Sequence, residues 1–435
     1  TSGGIRTFGG SCCRNSGPKG SIRYGAITRN GIPRPFVREG SRMSKTILPI
    51  GPYHPLQEEP EFFTLTVEGE EVVDIDVRLG YNHRGIEKLS ESRSFDQTVF
   101  LVERICGICS TSHPYACVRA VEDLFPMDVP ERARYIRTII AEGERIHSHL
   151  LWLGLAGHFL GYNTVYMWVW KLREEILDCM EILTGNRNNY AMFKPGGVRR
   201  DVRAEDIPTV LRKIDSIVPT LEMIKAAVLD DPVLQARLKG VGVLSRQAAV
   251  EYSTVGPTAR ASGIGKDVRK DCAYGVYDRI DWNVVTGRNG DVWDKLVVRV
   301  LELFESIKII RQCLEGLPSG EIDARIADYP AGEGIGHIEA PRGETFHYIR
   351  SDGTNRPVRH KVRAPTYMNL PTFKETVKGA HLADATIILA AIDPCYCCTE
   401  RMAVRTPEGR KLMGGYDLVR LSREKTERLR KELGA

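Results

Sequence analysis

The chain of 435 residues is 42% hydrophobic, long and apolar enough for a large core and two or three domains. Its net charge of +5 is unevenly placed: residues 1–42 hold eight Lys/Arg against Glu39, and the remainder holds 53 basic and 55 acidic residues. The basic excess belongs to a tail, so the body offers no nucleic-acid surface.

In chain order, residues 1–46 are Gly-, Ser- and Arg-rich without periodicity and read as a disordered basic extension. Poor in acids, this stretch has the composition of a transit peptide; the preferred reading is an upstream extension with Met43 as the true start. Over 47–90, "FFTLTVEGEEVVDIDVRLG" alternates apolar and polar residues around a Gly-Glu-Glu turn, which predicts a β-hairpin. Over 91–330, "ERARYIRTIIAEGERIHSHLLWLG", "MWVWKLREEILDCMEILTG" and "VWDKLVVRVLELFESIKIIRQCLEGL" repeat apolar residues at helical spacing. The most apolar span, residues 150–170, is long enough to cross a bilayer, but His158, Asn163 and three glycines interrupt it, which predicts a buried helix instead. Residues 331–401 return to strands in "GIGHIEAPRGETFHYIRSDG" and "RHKVRAPTYMNL", followed by one helix over about 373–391. The tail, 402–435, ends in a charged amphipathic helix. The fold class expected is α+β: a central bundle of long helices flanked by small antiparallel β elements from the N-terminal and C-terminal parts.

Eleven cysteines, an odd count without a visible secretory signal, point to a reducing compartment and metal chemistry rather than a disulfide scaffold. Cys106 and Cys109 in "RICGICSTSHP" form one C-x-x-C pair, and Cys395 and Cys398 in "IDPCYCCTER" form another. Two such pairs make a four-sulfur metal site. Structural zinc is the plain reading, but a chain with ample core closes this site across most of its length and has little need of a metal to fold. Four soft thiolates equally suit nickel or iron with open positions for substrate. Spacing alone leaves the two level. Cys397 is expected to turn away from the metal, and Cys117, Cys179, Cys272 and Cys313, which have no pairing pattern, are expected to be core thiols.

The surrounding residues break the tie. Both cysteine motifs resemble those of nickel-iron hydrogenase large subunits. "HRGIEK", "ERIHSHLLWLG", "GPTARASGIGKDVRKD", "EAPRGETFHYIRSDG" and "KVRAPTYMNL" resemble the quinone-site (49 kDa-type) subunit of respiratory complex I. The combination, in order from about Pro49 to Arg401, resembles the membrane-bound energy-converting hydrogenases, which are related to both. The complex I subunit does not keep the four cysteines. The resemblance implies that Cys106 and Cys395 bind nickel terminally, and that Cys109 and Cys398 bridge it to an iron carrying CO and cyanide. It implies a base role for Cys395, a hydrogen bond from His113 towards a bridging sulfur, and Arg342 beside the iron's diatomic ligands with Pro365 and Thr366 lining that pocket. Glu59 in "HPLQEEPEFF" would be the next proton acceptor, preferred over Glu58; Glu87 competes, with an ion pair to a neighbouring helix as its more ordinary use.

The chain is thus read as the catalytic subunit of a nickel-iron hydrogenase, converting protons to H2 and back, at the cytoplasmic face of the cell membrane. With four cysteines committed to the metals and no cluster motif left, electrons come from an iron-sulfur small subunit, and membrane ion-translocating subunits complete the complex. The alternatives are a paralogous subunit reducing a quinone or sulfur compound, and a zinc-stabilised scaffold. Two features depart from the families. Thirty-four residues follow Arg401, where many relatives are cleaved, so the tail is either processed or kept as a docking helix. Acids stand in "HPLQEEP" where the complex I subunit has a second histidine, which suits a proton exit better than a quinone headgroup.

Overall fold

Alternation of apolar and polar residues builds the first sheet. Strands β1 (Lys45–Ile50), β2 (Phe62–Glu68) and β3 (Glu71–Arg78) pair antiparallel in sequence order, with Phe63, Leu65, Val67, Val72 and Ile75 buried. The β2–β3 turn falls at Gly69 and Glu70, as the Gly-Glu-Glu signal implies, while β1 starts two residues before the expected boundary at Ile47. This computed structural model describes residues 44–434 apart from 56, 400–403, 407–408 and 412–414; residues 1–43 of the expected basic extension and the expected cleavage point at Arg401 lie outside the described residues.

Helices α1 (Ile86–Ser90), α2 (Phe95–Glu103) and α3 (Ser112–Glu122) follow. Ser94 caps α2 in a reciprocal box with Gln97, which fixes where the helix begins and therefore where its last turn delivers Cys106. The bundle consists of α4 (Glu131–Phe159), α5 (Asn163–Thr184), α6 (Ile207–Asp230) and, after short helices α7 (Pro232–Leu238), α8 (Arg246–Glu251), α9 (Gly256–Ala261) and α10 (Val268–Asp271), the long α11 (Val292–Glu315). A two-residue hairpin pair, β4 (Phe193–Lys194) and β5 (Gly197–Val198), lies between α5 and α6. Helix α4 packs on both α5 and α11. Residues 150–170 are not one buried helix: α4 ends at Phe159, the chain turns through Gly161 at φ 86, and Met167 and Trp168 on α5 are exposed. No helix among the described residues is long and apolar enough to cross a membrane.

The second three-stranded sheet runs β6 (Ala331–Ala340), β7 (Gly343–Asp352), β8 (Pro357–Arg363), all antiparallel. The strand expected to continue through "APTYMNL" stops at Arg363, because Pro365 sets a helical φ and opens α12 (Pro365–Asn369). The single helix expected over 373–391 is instead two, α13 (Phe373–Thr376) and α14 (Leu382–Ala391), parted at Gly379 with φ 78. A small hairpin, β9 (Val404–Thr406) and β10 (Gly409–Lys411), and helix α15 (Gly415–Leu433) form the tail.

Helix α3, which follows the first cysteine pair, lies against β6 and β7 at close range. A Cβ on Gly336 would stand 2.0 Å from the Ala116 carbonyl oxygen and 2.4 Å from Ala120 N, both backbone atoms that cannot step aside. Gly336→Ala is therefore expected to push α3 off the sheet and to cost ~3 kcal/mol, at the upper end for overpacking. The drop should be visible in thermal unfolding of the purified protein.

Candidate metal centre

Cys106 and Cys109 occupy the loop between α2 and α3, and Cys395 and Cys398 bracket a 3-10 turn (Tyr396–Cys398) after α14. The fold brings these two segments together. Cys395 Sγ lies 3.2 Å from Cys106 Sγ and 2.7 Å from Cys398 Sγ, and all four thiols are buried. Backbone N–H groups of Ile108 and Cys109 both donate to Cys106 Sγ at 3.3 Å, an arrangement that favours thiolate charge. Hydrogen bonds from Cys109, Cys395 and Cys398 hold Cys106 well below the usual thiol range, while Cys395, bonded to Cys106 and Cys109, is pushed up. The cluster thus titrates as a unit and not as four separate thiols.

Arg342, at the β6–β7 turn, is fully buried beside these sulfurs. Its Nη1 donates to Cys109 Sγ at 3.4 Å and to Ser148 Oγ at 3.0 Å, its Nε donates to the Asp393 carbonyl at 2.8 Å, and its Nη2 pairs with Asp393 Oδ1 at 2.6 Å. Burial opposes the guanidinium charge, but Asp393 and the cysteines outweigh it and raise Arg342 well above its usual range. Arg342→Met would leave Asp393 buried without its closest counter-charge, an expected cost of ~3–5 kcal/mol. The penalty should shrink as pH falls, because Asp393, already raised by burial, is neutral in acid. Unfolding measured at two pH values checks the sign.

Thr366 Oγ1, in the first turn of α12, accepts the Cys395 N–H at 3.1 Å, and Pro365 beside it is buried. His113, in the first turn of α3, has Nε2 3.4 Å from Cys398 Sγ, and burial lowers it to about 4. Glu59 reaches the second cysteine segment: its carboxylate accepts the Cys397 N–H at 2.7 Å and also the Cys397 thiol. Burial raises Glu59, with the Cys106 charge adding to it. Glu58 keeps an exposed flank, yet protein atoms crowd its carboxyl and raise it to about 8, with Asp393 adding. Glu87 is elsewhere. It pairs with Lys361 on β8 at 2.6 Å and accepts the Val362 N–H at 3.0 Å, so its partner is a strand and not the helix expected.

Cys397, expected to turn away from the metal, donates its thiol to Glu59. Cys117, Cys179 and Cys313 are buried thiols pushed up to about 12 by burial, but Cys272 is exposed and not a core residue. Reasoning from the sequence missed Asp393 and Glu144. Glu144 is buried beneath the first cysteine loop, accepts the N–H groups of Thr111 and Ser112, and is raised to about 7 by burial. A signal was present: Glu142, Glu144, Arg145, His147, Ser148 and His149 fall within about two turns of a helix whose other residues are mostly apolar.

Residues 160–329 and 324–401 match the family described as "Respiratory-chain NADH dehydrogenase, 49 Kd subunit", and residues 84–155 match "Nickel-dependent hydrogenase". The chain is 43% identical over 400 residues to the membrane-bound hydrogenase subunit alpha of Pyrococcus furiosus, covering 88% of this chain and 93% of that protein. It is 41% identical to the carbon monoxide-induced hydrogenase of Rhodospirillum rubrum, covering 82% and 100%. It is also 38% identical to an NADH-quinone oxidoreductase component of Dehalococcoides mccartyi, covering 80% and 96%. A solved structure of the membrane-bound sulfane sulfur reductase, an archaeal respiratory membrane complex, superposes with a TM-score of 0.79 at 31% identity, covering 82% of this chain and 98% of that one.

The fold and the family matches define the class of large subunits shared by hydrogenases and respiratory membrane complexes. Within it, the chain belongs to the family of membrane-bound nickel-iron hydrogenase large subunits related to the 49 kDa subunit of respiratory-chain NADH dehydrogenase.

Proposed function

We propose that the chain is the catalytic subunit of a membrane-associated, energy-converting complex that interconverts protons and H2. The observation that carries this reading is the convergence of two C-x-x-C pairs, 289 residues apart, on one buried site, where the sulfurs of Cys106, Cys395 and Cys398 lie within 4.8 Å of one another and Cys109 is buried beside them. The donor set fits a nickel-iron centre: four soft thiolates, backbone N–H groups directed at sulfur, and a guanidinium held at 3.4 Å from Cys109. Cys106, Cys109, Cys395 and Cys398 would hold the nickel-iron centre, whose iron would carry CO and cyanide. When bound, such a centre supplies the two-electron chemistry of H2.

The chain's own residues would do the rest. Arg342, held by Asp393 and Ser148, would donate to anionic ligands of that centre. Thr366 fixes the Cys395 backbone, with Pro365 closing the same wall. His113 orients the Cys398 sulfur, and Glu59 stands ready to take a proton released on the Cys395 side. Electrons would arrive from an iron-sulfur partner subunit, and membrane ion-translocating subunits would use the energy released, with this chain peripheral on the cytoplasmic face.

Reduction of a sulfur compound or a quinone is a second reading, favoured by the likeness to the sulfane sulfur reductase complex and to the NADH-quinone oxidoreductase component. A zinc-held scaffold is the third. Metal analysis of this subunit, purified away from its iron-sulfur partner, separates them: nickel and iron in equal amounts, with infrared bands from cyanide and CO, are expected. Zinc alone would reject the hydrogenase reading.

A further inference from the structure

A second group of metal-ligating side chains lies where α3 meets the second three-stranded sheet. Cys117 stands one helical turn beyond His113 on α3, so both project from the same side of the helix. Opposite them, His347 on β7 and His360 on β8 share one sheet face. The register sets His360 beside Ile349, and Ile349 points the same way as His347. Cys117, His347 and His360 are all fully buried, and each places a ligand atom within 4.8 Å of the other two. His347 Nδ1 and His360 Nε2 are 2.9 Å apart. We propose that Cys117, His347 and His360 form a second metal site, separate from the four cysteines, that takes one divalent cation of the zinc type.

The hydrogen bonds across the rings lead to the same place from both ends. On one side, Ser90 gives its single hydroxyl proton to the Glu87 carbonyl oxygen at 2.7 Å. Ser90 Oγ must then accept from His360 Nδ1–H, 3.0 Å away, and a neutral ring keeps a bare Nε2. On the other side, His113 Nε2 is 3.4 Å from Cys398 Sγ, and a metal-bound thiolate there can only accept. His113 therefore donates from Nε2 and accepts at Nδ1 from His347 Nε2–H across 3.1 Å, which leaves His347 Nδ1 bare. Two lone pairs thus meet at 2.9 Å with no proton between them. Burial disfavours adding one, since it holds His360 at about 4 and His347 well below its usual range. A cation bound by both nitrogens removes the repulsion, and Cys117 Sγ is the third donor within reach.

The donor set selects the ion. One sulfur and two imidazole nitrogens are zinc ligands, with a fourth position left for water. Magnesium and calcium need oxygen donors, and the group contains no carboxylate. Burial keeps the Cys117 thiol protonated by pushing it up to about 12, and a bound cation reverses that preference. One proton leaves Cys117 as one cation enters. The remaining nitrogens of the two rings are held by Ser90 and His113, contacts of the kind that orient an imidazole towards a metal. Once bound, the ion would tie α3 to β7 and β8 and hold His113 against the sulfur of Cys398.

The direction of the His113 bond rests on the proposed hydrogenase reading, and the test keeps the two apart. The full-length subunit, freed of its iron-sulfur partner, should contain one zinc per chain beside its nickel and iron. Zinc X-ray absorption should show one sulfur neighbour at about 2.3 Å with nitrogen or oxygen neighbours at about 2.0–2.1 Å. Cys117→Ala and, separately, His360→Gln should each lower zinc at least about tenfold at unchanged nickel, since groups that only orient ligands already contribute about 10–100-fold. Nickel-loaded subunit without zinc, or with full zinc in both variants, would overturn the site and leave the hydrogenase reading standing. Zinc in place of nickel, with four sulfur neighbours, would overturn both. Zinc without nickel, with one sulfur neighbour and lost in both variants, would uphold the site and reject the hydrogenase reading.

Discussion

Cys395→Ser and Cys398→Ser are each expected to yield a complex with no nickel and no H2 activity, whereas Cys397→Ser keeps its nickel. The three residues are neighbours in one tight turn, so the contrast depends wholly on where the sulfurs point. Cys395 faces Cys106 across 3.2 Å and Cys398 across 2.7 Å, inside a pocket closed to solvent. A serine hydroxyl there is a poor ligand for a thiophilic metal and stays protonated at neutral pH. Even residues that merely orient ligands contribute about 10–100-fold in metal affinity, so removing a ligand should cost more than ~100-fold. Cys397 Sγ instead donates to the Glu59 carboxylate, and a serine hydroxyl can make the same bond. Metal content by mass spectrometry of the purified variants decides it. Loss of nickel from Cys397→Ser would falsify the ligand assignment.

The fold was legible wherever one period dominated. The β2–β3 hairpin follows from strict alternation, and α11 runs from Val292 to a C-cap at Gly316, where the helical pattern ends. Departures sit where a single residue overrides a pattern: Gly161 and Gly379 each divide a run that reads as continuous, and Pro365 converts an expected strand into a helix. The four cysteines were legible because chelation needs a fixed spacing within each pair. Asp393, Glu144, His347 and His360 were not. Their roles come from contacts across as many as 270 residues, as between His360 and Ser90, and no local spacing encodes such a pairing. His113, His347 and His360, in ring-to-ring contact at 3.1 and 2.9 Å, likewise come from three elements, α3, β7 and β8. Only the antiparallel register that sets His347 beside Val362 and Ile349 beside His360 brings the last two rings within reach.

Glu59→Gln is expected to keep nickel and iron at full occupancy but to lower H2 evolution at least ~100-fold, the contribution of one well-placed proton-transfer group. The substitution is close to isosteric. The amide oxygen can still accept the Cys397 N–H that Glu59 accepts at 2.7 Å, so the loop carrying Cys395 and Cys398 should hold its shape. What is lost is the ability to take a proton. Burial and the nearby Cys106 charge raise Glu59 above the ordinary carboxylate range, while the two bonds from Cys397 restrain the shift. An acceptor raised in this way holds a proton closer to neutral pH than one left at the usual value, which suits a reaction that runs in both directions. Glu58 is not an equivalent substitute. Its raised value of about 8 has Asp393 as the next cause after burial, and the hydrogen bonds from the cysteine turn go to Glu59. Hydrogen–deuterium exchange should fall with H2 evolution, since both need the proton to leave. Near-normal rates of both in a fully metallated Glu59→Gln complex would remove Glu59 from the route.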